Sequence, residues 1–209
     1  MSRLRGKTVA MVIAQEYEDL ELFYPLLRLS EEGADILVAA VRMGAHTRPY
    51  IEGKPVTGRF GHPMPMPIMR EGRRYRMVEV EELRADAIDC LLIPGGFSPD
   101  WLRRHKPTLA LTRECHEQGK IVAAICHGPW VLISAGVVRG RRTTASRALV
   151  DDLTNAGAEF VDEPAVRDGN VVTAQGPSDL PEFCQEIIHA LAGDVAGRGR
   201  DVPDKDTGG

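Results

Sequence analysis

The sequence has no C-x-x-C pair and no other zinc-type spacing; its four cysteines are Cys90, Cys115, Cys126 and Cys184. Its six histidines show no pairing on one face, so no metal site is expected. It has no G-x-G-x-x-G and no G-x-x-x-x-G-K-[ST] loop, so nothing supports nucleotide binding and no cofactor is expected. Basic residues are not in excess. The formal net charge is −4, which argues against nucleic acid or an anionic membrane as a partner. The arginines of 70–76 and 139–142 read as local clusters on solvated surface, with an anion-facing pocket rim as the sharper alternative. No apolar run approaches the roughly 18 residues of a membrane span. The apolar stretch 8–14 lacks a small-residue cleavage site and is not read as a signal peptide. The expectation is a cytoplasmic protein with reduced thiols.

The 209 residues, 43% hydrophobic and 27% charged, are expected to form one domain over 1–193. Residues 194–209 hold almost nothing to bury and are expected to be a mobile tail. The segment 8–14 is apolar and β-branched, as a strand buried on both faces should be. A helix is expected over 19–32, with Leu20, Phe23, Leu26, Leu27 and Leu29 on its apolar face and Pro25 as a kink or late start. A second strand is expected over 35–41, which completes a β-α-β unit and implies a parallel sheet. The alternation resumes with strands at 88–93 and 121–125, helices at about 101–118 and 129–135, short strands near 142–145, 158–161 and 171–174, and helices near 147–156 and 178–191. The fold class is α/β, a doubly wound parallel sheet between helices. Residues 44–80, rich in Gly, Pro, Met and Arg, are expected to be an inserted hairpin-and-loop region over one end of the sheet.

In an open parallel sheet, ligands bind beyond the carboxyl ends of the strands. Glu16 and Glu18 follow the first strand, Gly95-Gly96 the third, and Cys126-His127-Gly128 the fourth. A cysteine is most often a small buried hydrophobe, a reading that suits Cys90, Cys115 and Cys184. Cys126 differs, because strand–Cys–His–Gly–Pro–helix is the layout of a nucleophile elbow. The helix N-terminus after it is expected to lower the thiol pKa. Glu18 is the candidate carboxyl partner, to hydrogen-bond the thiolate or shuttle a proton. His127 should leave the turn in another direction and need not be the direct base. Asp100 is a candidate to orient His127, or simply the N-cap of the helix expected from Trp101. The backbone N–H groups of Gly96 and His127 are the candidate oxyanion donors.

The segments 16–36, 91–96, 121–145 and 151–163 together resemble the superfamily that holds the PfpI intracellular peptidases, the Parkinson-associated DJ proteins and their glyoxalase III and deglycase relatives. The resemblance implies a flavodoxin-like fold of the class I glutamine amidotransferase type. It implies Cys126 as nucleophile with Glu18 touching it, His127 as the matching catalytic histidine, and homo-oligomers (dimer, trimer or hexamer). In peptidase-type members a Glu from a neighbouring subunit pairs with that histidine. Here the matching position is Asp100, one methylene shorter, and Arg147 stands where such members tend to carry an aromatic.

Three functions follow as expectations. The first is cysteine-dependent chemistry on small reactive carbonyls, with thiolate addition by Cys126 and proton transfer by Glu18. The second is peptidase or amidase action, which the shorter Asp100 weakens. The third is a thiol sensor of oxidation or a chaperone, which needs only the reactive thiol. Superfamily membership does not choose among them.

Overall fold

The computed structural model describes residues 2–43 and 49–193. The expected tail at 194–209, His46 and the start of the 44–80 segment lie outside the described residues. The chain runs β1 (Thr8–Ile13), α1 (Asp19–Glu31), β2 (Asp35–Ala40), β3 (Val56–Thr57), β4 (Pro63–Met64), β5 (Arg76–Val78), β6 (Cys90–Ile93), α2 (Ser98–Leu102), α3 (Lys106–Glu117), β7 (Ile121–Ile125), α4 (Pro129–Ala135), β8 (Arg142–Thr143), α5 (Val150–Asn155), β9 (Glu159–Phe160), β10 (Ala165–Asp168), β11 (Val171–Ala174) and α6 (Leu180–Ala192).

The main sheet has the order β10-β11-β7-β6-β1-β2-β5, parallel except for β10 at one edge. Successive residues of β1 serve opposite faces, as strand geometry requires. Val9, Met11 and Ile13 pack with Leu22, Leu26 and Leu29 of α1 and with Phe183 and Ile187 of α6. Ala10 and Val12 pack with Leu111 of α3 and Val131 and Leu132 of α4. The chain leaves β1 toward β2 and later returns to β6 on the other side of β1. That reversal opens a crevice beyond the carboxyl ends of β1 and β6.

Several expectations need correction. The helix expected over about 101–118 is two helices, because Pro107 has no N–H and its ring would strike the carbonyl of Arg103 in a continuous helix. Asp100 therefore lies inside α2, whose N-cap is Phe97, and caps nothing. Helix α1 is unbroken at Pro25, which deprives only the Glu21 carbonyl of its usual partner. Its buried face is Glu21, Leu22, Pro25, Leu26 and Leu29, while Leu20 and Leu27 are exposed. The inserted segment forms the antiparallel β3–β4 hairpin, but it also supplies β5, an edge strand parallel to β2. The short strands β8 and β9 pair apart from the main sheet, and the antiparallel β10 had no expectation at all.

Candidate active site

The chain turns from β7 into α4 at Cys126, whose φ is +61°. A non-glycine residue in that region costs about 1–2 kcal/mol, so the surroundings must hold it. Three hydrogen bonds do. Cys126 N donates to Ala174 O at 3.0 Å, Ser146 N donates to Cys126 O at 3.0 Å, and Gly128 N donates to Ile125 O at 2.8 Å. A side chain at Gly128 would meet the carbonyls of Ile93 and Ile125 at 2.5 and 2.9 Å, so the turn closes only on glycine. The other three cysteines are buried, and Cys126 alone is partly accessible.

Two backbone N–H groups, of Gly96 and His127, hydrogen-bond the Cys126 sulfur. They come from the ends of β6 and β7, and both favour the thiolate. Gly96 can sit there because its φ is +75° and because it packs against the backbone of Glu16 and Glu18. The carboxyl at the thiol belongs to Glu21. It is fully buried, and its Oε2 accepts from Gly95 N at 2.6 Å. Its Oε1 is buried with no hydrogen-bond partner among the described residues, and the side chain interacts with the Cys126 thiol. A protonated carboxyl avoids leaving an unpaired charge there, and two negative charges in that enclosure would be costlier still.

Both groups titrate above neutrality. Burial pushes Glu21 up to about 8, against the opposing Gly95 hydrogen bond. Burial, and then the charge of Glu21, push the Cys126 thiol up to about 12. The expected lowering by the helix N-terminus is outweighed by burial. At neutral pH Glu21 keeps its proton and the part of the push on Cys126 that comes from its charge vanishes, but burial still holds the thiol protonated, so both members carry a proton.

His127 does not turn away from the thiol. Its Nδ1 lies 3.2 Å from Cys126 Sγ, and its ring packs edge-on to Trp130 with centroids 5.1 Å apart. Burial, and next the positive charge of Arg59, push its pKa down. Both favour the neutral imidazole.

Residues 7–190 match the model of the DJ-1/PfpI family. The chain belongs to the DJ-1/PfpI family. It is 37% identical over 183 residues to a deglycase of Thermococcus kodakarensis, covering 88% of this chain and 98% of that one. It is 36% identical over 187 residues to protein/nucleic acid deglycase 2 of Escherichia coli, covering 89% of this chain and 98% of that one. Among solved structures it resembles a two-domain protein from Anabaena variabilis with DJ-1/ThiJ/PfpI-like and ferritin-like domains, with a TM-score of 0.76 and 33% identity. The match covers 93% of this chain but only 52% of that one. Drosophila melanogaster DJ-1beta shares the fold, with a TM-score of 0.72 at 24% identity over 90% of this chain and 91% of that one.

Within this family member, the structure gathers Cys126, His127 and the N–H groups of Gly96 and His127 at one point. It does not bring the Glu18 carboxylate to the thiol. Glu18 is the N-cap of α1, and its Oε2 accepts from Glu21 N at 2.8 Å. Capping turns that carboxylate back onto the helix start, and the residue one turn later reaches the sulfur instead. Nor is Asp100 hydrogen-bonded to His127 among the described residues; its carboxylate pairs with Arg104 at 2.9 Å. Arg147 is exposed and pairs with Asp162, just after Ser146 at the elbow. Among the described residues no helix is long and apolar enough to cross a membrane.

The raised Glu21 pKa makes a stability prediction. Its ordinary value is 4.5 and its folded value about 8. The folded protein thus keeps a proton that the unfolded chain loses between those limits. The stability this contributes is complete below the lower value and is lost as pH rises through the upper one. Relative to Glu21→Gln, the wild-type melting temperature should fall from about pH 5 to about pH 8 and then run level. Parallel curves across that range would show Glu21 to be ionised in the folded protein.

Proposed function

We propose that this protein is a cysteine-dependent enzyme acting on small dicarbonyls such as methylglyoxal and on the glycation adducts they form. The observation that carries the proposal is a fully buried carboxyl, Glu21, beside the thiol of an elbow cysteine, where burial favours its protonated form. The relatives named as deglycases support an enzyme of this kind.

The Cys126 thiol gives its proton to His127 Nδ1, 3.2 Å away, as its sulfur adds to the aldehyde carbon. A C–S bond forms, and the carbonyl electron pair moves to an oxygen facing the N–H groups of Gly96 and His127, which takes the proton of Glu21. The Glu21 carboxylate then removes the hydrogen on that carbon as a proton. The C–H electron pair becomes a C=C bond as the π pair of the ketone moves onto its oxygen, giving an enediolate. Glu21 returns the proton to the former ketone carbon, the hydroxyl proton of the first carbon passes to the neighbouring oxygen, and the first carbon becomes a thioester. The aldehyde carbon has been oxidised and the ketone carbon reduced, so no outside oxidant is consumed. Water adds to the thioester, the C–S bond breaks, and lactate leaves, with its acid proton returning to Glu21 and the proton on His127 returning to the sulfur. An adducted amine enters as its hemiaminal: the sulfur displaces it, the C–N bond breaks, and the amine departs with a proton. Acyl transfer of the peptidase kind is less well served, because among the described residues Asp100, expected to orient the imidazole, pairs with Arg104 and not with His127.

The test is lactate formation from methylglyoxal without added glutathione, together with release of free amine from methylglyoxal-treated N-acetyllysine. Wild type should do both, and Cys126→Ser neither. Equal rates for the two proteins, or no lactate from wild type, would overturn the proposal.

A further inference from the structure

The inserted segment carries a cation to the reaction centre. The turn at 58–62, between β3 and β4, is held against the end of β1 by several contacts. Arg59 N donates to Tyr17 O at 2.9 Å, and the buried Tyr17 hydroxyl donates to His62 O at 2.6 Å. The buried Asp19 carboxylate accepts from Phe60 N at 2.9 Å and His62 N at 3.3 Å, and lies 2.7 Å from His62 Nδ1. Gly58 packs directly on that carboxylate, where a Cβ would collide with it. This anchorage fixes where the Arg59 side chain stands. Its guanidinium carbon is 5.7 Å from the centre of the Phe97 ring. Phe97 directly follows Gly96, whose N–H faces the sulfur, and Phe97 is 56% exposed. The guanidinium is therefore on the rim of the crevice. Its charge reaches Glu18, Glu21 and His127 and lowers the pKa of each.

We infer that Arg59 is a specificity-determining residue that binds an oxyanion on the substrate, so that the site selects carbonyl compounds and adducts that also carry a carboxylate or phosphate. A guanidinium is well suited to hold such a group. It is always charged, presents a planar fork matched to two oxygens, and is oriented by the aromatic face beside it. The inference rests on Cys126 as the reacting atom and deepens the function proposed above.

Its test does not depend on turnover. Iodoacetate and iodoacetamide alkylate the same thiol and differ in one negative charge. The ratio of their rates at Cys126, followed by mass spectrometry, should fall roughly three- to tenfold in Arg59→Ala, as expected for a lost charge near the surface. It should fall further in Arg59→Glu and recover in Arg59→Lys. High salt should narrow the differences. Any effect of Arg59 on the reactivity of the thiol itself cancels in the ratio. The same ratio in wild type and all three variants would overturn the inference. Two substrate pairs then identify the oxyanion: methylglyoxal adducts of N-acetylcysteine against its amide, and of deoxyguanosine monophosphate against deoxyguanosine. The pair whose kcat/KM ratio falls more in Arg59→Ala names carboxylate or phosphate, and unchanged ratios in both pairs count against Arg59. A shifted alkylation ratio in a wild type that turns over neither pair would keep the anion site and overturn the carbonyl reaction.

Discussion

Glu21→Gln should lower kcat for lactate formation by about 10²- to 10⁴-fold, the usual worth of a positioned acid–base group, while Glu18→Gln should lose less than about tenfold. The two residues are one helical turn apart and both are buried, yet their roles differ. Glu18 caps α1 through Glu21 N, and its glutamine variant keeps an oxygen that can accept the same bond. Glu21 must hold a proton, release it and take another, which an amide cannot do. Gln fits the space and still accepts from Gly95 N, so a loss of rate in Glu21→Gln reports proton transfer rather than collapse of the turn. Equal losses in both variants would mean that the start of α1 matters only as scaffold.

The second large effect is expected at a residue with no side chain. A Cβ on Gly95 would stand 2.6 Å from Glu21 Oε2, 2.7 Å from Cys126 Cβ and 3.0 Å from His127 N. All three belong to the site, and none can yield without moving the carboxyl, the sulfur or an oxyanion donor. A displacement of about 1 Å in such a constellation costs on the order of 10²-fold in rate. Gly95→Ala should therefore lose at least that much kcat while still folding, with a melting temperature closer to wild type than its activity. Activity near wild type would show that the carboxyl and sulfur need not be packed together for the reaction.

The strands and the elbow were open to a reading from residues alone, for a physical reason. Buried parallel strands are short, almost wholly apolar runs, as 8–13, 90–93 and 121–125 are. Likewise, Cys-His-Gly-Pro after such a run leaves few geometries, because glycine and proline restrict the backbone so strongly. The carboxyl partner was harder to see. Leu20 and Leu27 look like core residues but lie 57% and 48% exposed, which hides the buried stripe of Glu21, Pro25 and Leu29 at spacings of four. With that stripe drawn correctly, a glutamate in the middle of an apolar face marks itself as unusual. The contribution of Arg59 could not be read at all. It depends on Asp19 gripping a turn some forty residues further along, through a backbone that no local pattern describes. The edge strand β5 is hidden for a similar reason, since three residues that begin with an arginine carry too little periodicity to signal a strand.

The central claim is that Glu21 keeps its proton beside Cys126 at neutral pH. The direct measurement is the carbon-13 shift of the Glu21 carboxyl across a pH titration, assigned by its disappearance in Glu21→Gln. A protonated signal at pH 6 and a midpoint near 8 are predicted. A carboxyl already ionised at pH 6 would contradict the claim and remove the proton on which the proposed chemistry depends.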